Sequence, residues 1–230
     1  MELIKITHGN LEQEHICCAI SNNKDIQVMT KKAWLKERLD EGLVFLKCNV
    51  RGKCFIEYIP AEYAWAPIEA DGYMYINCLW VSGQFKGLGY STLLLDECIR
   101  DSKEKGKKGL VILSSKKKMG YLSDPEYLKY KGFETADAAG PYFELMYLAF
   151  DRNADKPCFR HTAKNREDMR DWSCTTPANV PLRQNMCRFW KKQPKKEMWS
   201  FKPCIYRQER TPKMPRLPLQ HSHCFAMENS

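Results

Sequence analysis

The chain of 230 residues is long enough for one large domain or for one domain with an appendage, and its 43% hydrophobic content predicts a packed core. No apolar run approaches the length of a membrane-spanning helix, which argues against a transmembrane protein. The net charge of +9 is unevenly placed, because residues 1–150 hold 20 basic and 20 acidic side chains and the remainder carries the whole excess. These two compositional parts predict a domain at 1–150 and a basic, proline-rich tail at 151–230.

The cysteines indicate a reducing compartment. Their number is 11, which is odd, no pair has Cys-x-x-Cys spacing, and residues 1–7 alternate like a strand rather than a secretory signal. We therefore expect reduced thiols, packed as small hydrophobic side chains in a cytoplasmic protein.

Before residue 73, the apolar pattern predicts one strand, two helices and a hairpin of two strands: 3–6, 11–20, 30–42, 43–48 and 53–59. Thr30 is the predicted N-cap of the second helix, and Gly42 is its predicted stop. The turn signal at residues 49–52 joins the two hairpin strands, and a loop is predicted at 60–71.

From residue 73 onward, the predicted elements alternate between strands and helices: strand 73–81, loop 82–89, helix 90–105, strand 110–114, helix 125–131 and two final strands, the last at 142–150. Asp124, Pro125 and Glu126 predict the start of the second of these helices, because they supply a cap, a first-turn proline and an acid near the helix dipole.

A glycine-bearing loop joins the strand at 73–81 to the helix that follows. Its sequence from Gln84 is Gln-Phe-Lys-Gly-Leu-Gly, and glycine at Gly87 and Gly89 permits unusual backbone dihedrals and a close approach by a ligand. The helix start offers unpaired N–H groups and the positive end of its dipole, so we expect a phosphate or a diphosphate here. A glycine turn without any ligand is the structural alternative.

Three phosphate-binding motifs can be compared with this loop. A Walker loop ends in Gly-Lys-Ser/Thr, but here Gly89 is followed by Tyr90. A dinucleotide fingerprint needs a third small residue where Thr92 stands, and an acidic residue after the next strand, where lysines stand. The pattern Gln/Arg-x-x-Gly-x-Gly/Ala matches residues 84–89 in full, and here the chain resembles the GNAT superfamily of acetyl-CoA-dependent N-acetyltransferases.

The resemblance extends over residues 1–150 and implies an α+β fold, with a mixed, mostly antiparallel sheet, splayed central parallel strands and flanking helices. It implies acetyl-CoA as co-substrate, no metal, and direct transfer of the acetyl group to a primary amine, with backbone donors polarising the thioester. The cofactor residues implied are Leu79, Trp80 and Val81 for pantetheine, and Gln84, Phe85, Lys86, Gly87, Leu88, Gly89 and Tyr90 for the diphosphate.

Members of that superfamily often place a tyrosine four residues before a Gly-Phe pair, to protonate the departing thiolate. Here that position holds Leu128, and the tyrosines Tyr127 and Tyr130 flank it, so the resemblance implies one of these two as the catalytic acid. A base or a water chain must take the proton of the amine. The candidates for this role are Glu57, Glu62 and Asn77, the last able only to position a water.

The sequence after residue 150 keeps no apolar period, and its Cys and His residues lack paired zinc-ligand spacing. A basic nucleic-acid-binding arm with interleaved aromatic residues is one interpretation. We favour another: the segment before it resembles YoaP-type GNAT proteins, which continue into a thioredoxin-like domain. A shifted reading frame over residues 170–192 permits a strand, a Cys-Pro-Phe-Thr turn and a helix, which predicts a frameshifted second domain and a disordered tail.

The sequence therefore predicts a cytoplasmic N-acetyltransferase for a small-molecule or peptide amine, without a membrane or nucleic-acid partner. A non-catalytic coenzyme A-binding or nucleic-acid-associating module is the alternative, and a response to acetyl-CoA or a steep salt dependence of DNA binding would separate the two. The acceptor and the oligomeric state do not follow from the sequence.

Overall fold

The computed structural model describes residues 2–18, 20–119, 122–140, 142–151 and 153–161. Its strands are β1 (Leu3–Lys5), β2 (Val44–Cys48), β3 (Cys54–Pro60), β4 (Ile68–Glu69), β5 (Tyr73–Val81), β6 (Gly109–Ser115), β7 (Glu134–Ala139), β8 (Phe143–Ala149) and β9 (Cys158–Phe159). Its α-helices are α1 (Ile26–Leu39), α2 (Tyr90–Glu104) and α3 (Pro125–Tyr130).

The main sheet has the strand order β1-β2-β3-β5-β6-β8-β7. Its central pair, β5 and β6, is parallel, and its other neighbouring strands are antiparallel. The connection between the two parallel strands is α2, as a parallel pair requires. This architecture confirms the predicted α+β fold with a mixed, mostly antiparallel sheet.

Side chains alternate between the two faces of the sheet and form two core clusters. On one face, Phe45, Phe55 and Tyr75 pack with α1 and with the segment that precedes it. On the other face, Ile56 and Met74 pack with α2 and α3. The sheet is therefore covered on both faces, and a ligand can reach the backbone of its central strands where those strands separate.

The predicted helix at 11–20 is wrong, because this segment forms turns and irregular backbone. Lysines from three elements hold it. Lys32 of α1 and Lys53 of the β2–β3 hairpin donate to the carbonyl groups of Glu12 and Cys18, and Lys47 of β2 forms an ion pair with a carboxylate of the segment. These tertiary contacts replace the helical hydrogen bonds that the local pattern predicts.

The start of α1 was also predicted wrongly. Asp25 caps this helix, and its carboxylate accepts a hydrogen bond from the Gln27 N–H at 2.8 Å. Thr30 lies one turn inside, where its hydroxyl donates to the Ile26 carbonyl at 2.7 Å. Aspartate and threonine are both good caps, and the earlier one begins the helix, so the cap of α1 lies five residues before the predicted one.

The described fold continues past residue 150, since β9 pairs with β4 in a small antiparallel sheet. No helix within the described ranges has the length and apolar character needed to cross a membrane. These ranges also contain no group of three or more potential metal ligands. The tail was predicted at 151–230, and its described part includes β9. Residues 162–230, which include residues 170–192 of the reading-frame hypothesis, lie outside the described residues.

Candidate active site

The central parallel strands separate after a short paired stretch. β5 pairs with β6 only from Tyr73 to Ile76, although β5 continues to Val81 and β6 to Ser115. Both strands stay paired along their outer sides, β5 with β3 as far as Val81 and β6 with β8 as far as Ser115. A gap therefore opens inside the sheet between β5 and β6, as expected from the splayed strands that the GNAT resemblance implied. Pairing with β3 and β8 holds the two strands that border this gap.

Backbone groups of β5 point into this gap at two of the predicted positions. The Ser82 N–H donates to the Lys53 carbonyl at 2.9 Å, so the backbone of Ser82 faces β3. Because these groups alternate in direction along a strand, those of Leu79 and Val81 face the gap, whereas those of Trp80 face β3. The side chains of Leu79 and Val81 pack in the same core cluster as α2, and Trp80 is 37% exposed.

A β-bulge lies where the gap begins. Glu57 of β3 stands opposite Cys78, and Tyr58 stands opposite Ile76, so that Asn77 is an extra residue on β5. Asn77 is also the first residue after the last pair between β5 and β6. The bulge and the divergence of the parallel strands therefore coincide.

The loop after β5 uses some of its own amides in turns. The N–H groups of Phe85, Lys86 and Leu88 donate to the carbonyl groups three residues earlier, at 2.9, 3.2 and 3.4 Å. Those of Gly87 and Gly89 have no backbone acceptor among the residues that the structure describes. The amides available to a ligand are thus a subset of those predicted.

Both of these glycines are required by backbone conformation. Gly87 and Gly89 each have a φ of +79°, in the left-handed region that side chains disfavour. A Cβ atom added at either position would meet no heavy atom within 4 Å. The need for glycine therefore comes from the turn geometry that orients the amides, and not from crowding within the protein.

The first turn of α2 adds further donors at the same place. Gly89 precedes this helix without any side-chain cap, and the Leu93 N–H donates to the Gly89 carbonyl at 3.0 Å. The N–H groups of residues 90–92 have no backbone acceptor in the described part of the chain. With Gly87 and Gly89, they form a set of N–H donors at the positive end of the helix dipole, which suits an anion.

Lys131 brings a positive charge to this turn, and the sequence reasoning missed it. Its Nζ donates to the Thr92 hydroxyl at 2.7 Å. A cation at a helix N-terminus opposes the dipole, so this position is favourable when an anion is also present. The packing of α3 against α2 places Lys131 there, and nothing in the local sequence indicates it, whereas Thr92 could have been noticed as a hydroxyl just after the glycines.

Several predicted cofactor residues support the loop. The Gln84 side chain donates to a carbonyl of the β2–β3 turn at 3.2 Å. The Phe85 ring packs so closely on Gly52 that a Cβ atom there would lie 2.4 Å from it, and the ring meets Tyr90 edge-on at 5.3 Å between centroids. The remaining two predicted side chains of the loop are exposed: Lys86 and Leu88.

The two predicted catalytic tyrosines differ in environment. Tyr127 is half-buried, and its hydroxyl lies near Ser91 of α2, with no hydrogen-bond acceptor within the described residues. Burial raises the pKa of this phenol, and the nearby Ser91 of α2 partly opposes that rise. Tyr130 is 82% exposed, with its ring facing Lys131. Leu128, where the superfamily's tyrosine commonly stands, is buried in the core.

Two of the base candidates contact each other. Glu57 is 0% exposed; its Oε2 lies 2.6 Å from the Lys31 ammonium, and its Oε1 accepts from the Asn77 side chain at 3.1 Å. Burial by itself lowers the pKa of Lys31, but the charge and the hydrogen bond of Glu57, together with the nearby Cys78 and Cys18, outweigh this effect, so the pKa is raised and Lys31 stays charged. The carboxylate of Glu57 is thus closed off from solvent and engaged by two side chains.

The third base candidate, Glu62, lies at the other end of the central strands. It accepts hydrogen bonds from the Gly72 N–H at 2.9 Å and from the Lys107 ammonium at 3.3 Å. Burial by itself raises the pKa of Glu62, but hydrogen bonds from its own N–H, from Gly72 and from Lys107, together with the Lys107 charge, outweigh this effect and lower the pKa. Gly72 and Lys107 precede the first residues of β5 and β6, whereas the gap opens at the last residues of these parallel strands. Glu62 therefore links the segments that precede β5 and β6, at the end of these strands away from the gap.

No family model matches the chain. A curated protein, the uncharacterized N-acetyltransferase YoaP of Bacillus subtilis, is 49% identical over 163 residues, which are 70% of this chain and 65% of that protein. The chain thus spans less than two thirds of the length of this relative, whose sequence confirms the predicted resemblance to YoaP-type N-acetyltransferases.

Solved structures of GNAT-family acetyltransferases are also similar to the chain. One from Staphylococcus aureus has a TM-score of 0.46 at 14% identity and covers 65% of this chain and 99% of its own. Another from Brucella melitensis, in complex with acetyl-CoA, has a TM-score of 0.42 at 17% identity and covers 67% of this chain and 91% of its own.

Proposed function

We propose that this relative of a YoaP-type N-acetyltransferase moves an acetyl group from acetyl-CoA directly to a primary amine of a small-molecule or peptide acceptor in the cytoplasm. The observation that carries the proposal is the gap between β5 and β6, which opens beside the unpaired amides of Gly87, Gly89 and residues 90–92. The name of the relative supports the reaction class.

In this proposal, the diphosphate of acetyl-CoA binds at the start of α2. The amides of Gly87 and Gly89 and those of the first helical turn donate to its oxygens, and the ammonium of Lys131 balances its charge. The same site explains why a lysine stands at the positive end of a helix dipole.

The pantetheine arm then lies in the gap, along the unpaired edge of β5. The backbone groups of Leu79 and Val81 hydrogen-bond the arm, and the N–H nearest the thioester stabilises the oxyanion of the tetrahedral intermediate. Bound side by side, the thioester and the neutral amine react without the entropy loss of a bimolecular encounter. The nitrogen attacks the carbonyl carbon to form the C–N bond of this intermediate, and it then loses a proton to water. The C–S bond breaks as the intermediate collapses, Tyr127 gives a proton to the departing thiolate, and water restores the proton of Tyr127.

Glu57 and Glu62 are not the base in this proposal. Glu57 is buried and contacts Lys31 and Asn77, and Glu62 contacts the residues that precede β5 and β6, at the end of these strands away from the gap. The acceptor amine loses its proton to water that enters with it, before it attacks the thioester.

The proposal is tested by acetyl-CoA binding in Gly89→Ala and in the matched control Gly106→Ala. Gly106 also has a positive φ, of +66°, and open space around its Cβ position, but it follows the other end of α2. Both variants carry the same kind of backbone strain, about 1 kcal/mol. We expect calorimetry to show at least about tenfold weaker acetyl-CoA binding in Gly89→Ala alone, because only there does the strain displace amides that hold the diphosphate.

The unsubstituted chain should also release coenzyme A from acetyl-CoA when it is supplied with a panel of primary amines and peptides, as followed with a thiol reagent. Equal affinities in the two glycine variants, or no binding by the unsubstituted chain, would remove the basis of the proposal.

A further inference from the structure

Three polar side chains from three elements form one connected chain inside the core. Lys31 belongs to α1, Glu57 to β3 and Asn77 to β5, and the contacts of 2.6 and 3.1 Å described above join them. Lys31 is 4% exposed, and its ammonium lies 5.7 Å from the centroid of the Phe45 ring. The two charges are therefore enclosed between α1 and the sheet.

Packing alone does not require this arrangement. Burying two charges carries a desolvation penalty, and apolar side chains of similar volume often stabilise a core equally well. A buried polar network does select one arrangement among several, because the other arrangements leave a buried group unpaired. Here the residue whose position is selected is Asn77, the extra residue of the bulge.

The register of β5 depends on this bulge. Without the extra residue, each later residue of β5 would shift by one place against β3, and the shift would exchange the two sides of the strand. The backbone groups of Leu79 and Val81 would then face β3, and those of Trp80 would face the gap. The Trp80 side chain would also move to the face that packs against α2. The bulge thus decides which backbone groups a ligand meets.

We propose that Lys31, Glu57 and Asn77 are positioning residues, which hold the bulge and thereby direct the backbone N–H of Leu79 toward the carbonyl oxygen of the acetyl thioester. The inference rests on the proposed function, since it concerns how the same site polarises the same co-substrate. The three side chains act through the register of β5 and not by contact with the ligand.

Two double variants of the full chain separate this role from simple stabilisation: Lys31→Met/Glu57→Gln and Lys31→Met/Glu57→Leu. Both remove the two charges together, so neither leaves a charge unpaired in the core. They differ in one property, because glutamine keeps a side-chain oxygen that can accept from Asn77 and leucine does not.

Two single variants complete the set. Asn77→Ala removes the side-chain amide that donates to Glu57, while Lys31 and Glu57 stay paired. This variant tests the positioning role if the leucine double variant fails to fold. Lys47→Met breaks an ion pair of 2.6 Å with Glu14 that has no part in the bulge, and it controls for a general loss of stability.

The measurement is the infrared carbonyl stretch of bound, carbon-13-labelled acetyl-CoA, with the affinity for coenzyme A as a second readout. We expect the leucine double variant and Asn77→Ala to move the stretch toward its value in free acetyl-CoA, because the carbonyl loses its donor. The glutamine double variant and Lys47→Met should keep both the stretch of the unsubstituted chain and its affinity for coenzyme A. The leucine double variant and Asn77→Ala should bind coenzyme A more weakly, because the pantetheine arm loses its hydrogen bonds to the backbone of Leu79 and Val81.

Failure of the inference and failure of the proposed function give different results. If the two double variants have the same carbonyl stretch, or if Asn77→Ala has that of the unsubstituted chain, the positioning role is overturned and the proposed function stands. If the unsubstituted chain does not bind acetyl-CoA, both are overturned.

Discussion

The hydroxyl of Tyr127 is buried beside Ser91 in the first turn of α2 and has no hydrogen-bond acceptor within the described residues. A buried hydroxyl without an acceptor is unfavourable, so a ligand atom that accepts from it would gain free energy. Because burial raises the pKa of this phenol, it stays protonated at neutral pH, as a proton donor must. These features favour Tyr127 over the exposed Tyr130 as the acid.

Replacing Tyr127 by phenylalanine tests this role, since it removes the hydroxyl and keeps the ring. We expect kcat to fall by about 100-fold, with little change in the KM for acetyl-CoA. Tyr130→Phe is the matched control on the same helix and should keep both constants. Steady-state kinetics with an accepted amine measure both, and a rise in KM without a fall in kcat would show that Tyr127 binds the ligand instead.

At the scale of elements, α3 matters because it is short and carries Tyr127. Asp124 caps it by accepting a hydrogen bond from the Glu126 N–H at 3.1 Å, and the pKa of Asp124 is lowered, chiefly by the hydrogen bond from Lys118. The helix begins with Pro125 and ends next to Lys131, which contacts α2. The cap therefore helps to hold two groups of the proposed site.

Asp124→Ala should lower the free energy of unfolding by about 1 kcal/mol, whereas Asp124→Asn keeps a capping oxygen and should lose less. The folded pKa of Asp124 lies below the unfolded one, so its charge stabilises the fold at neutral pH, and this contribution is lost as the pH falls through the lowered pKa. Urea unfolding at several pH values checks this. If the difference in free energy of unfolding between wild type and Asp124→Asn does not become smaller in acid, the charge of Asp124 does not stabilise the fold.

The contact between α3 and α2 gives a second prediction at this scale. Lys131→Met should weaken coenzyme A binding by roughly tenfold, because a charge-assisted contact with the diphosphate is lost. Pantetheine, which has no diphosphate, should bind the variant and the unsubstituted chain alike. Lys129→Met is the control, since Lys129 is on the same helix but pairs with Glu126 at 3.0 Å. Calorimetry with both ligands would contradict the role of Lys131 if the two variants lost the same affinity.

For the whole molecule, the segment after β8 belongs to the packed structure as far as it is described. Phe159 is 3% exposed, and its N–H donates to the Asp137 carboxylate at 2.9 Å. The Tyr73 hydroxyl, at the start of β5, donates to the Asp155 carbonyl at 2.8 Å. With the pairing of β9 to β4, these contacts join the segment to β4, β5 and β7. The packed structure therefore includes residues after 150, where the domain boundary was predicted.

We therefore predict that a chain of residues 1–161 is more stable than one of residues 1–150, by roughly 2 kcal/mol from the burial of Phe159 alone. Thermal unfolding of the two chains measures the difference. If both unfold at the same temperature, the segment contributes nothing, and the boundary near residue 150 stands.

Short-range patterns in the chain were enough to predict several elements. The strand predicted at 73–81 is β5 (Tyr73–Val81), the helix predicted at 90–105 is α2 (Tyr90–Glu104), and the cap at Asp124 is where it was expected. These follow from apolar periodicity, glycine and capping chemistry, which neighbouring residues decide. The same reasoning failed at 11–20, where distant lysines hold the backbone in another conformation.

Other features depend on contacts made by the folded chain: the point where β5 leaves β6, the bulge at Asn77, the pairing of Lys31 with Glu57, and the contact of Lys131 with α2. Each of these depends on residues far apart in the chain, whose pairing no local pattern encodes. The glycine loop could thus be predicted as a phosphate site from its own residues, and the family resemblance implied the splayed strands. The residue at which the strands separate, and the side chains that shape the gap, required the assembled sheet.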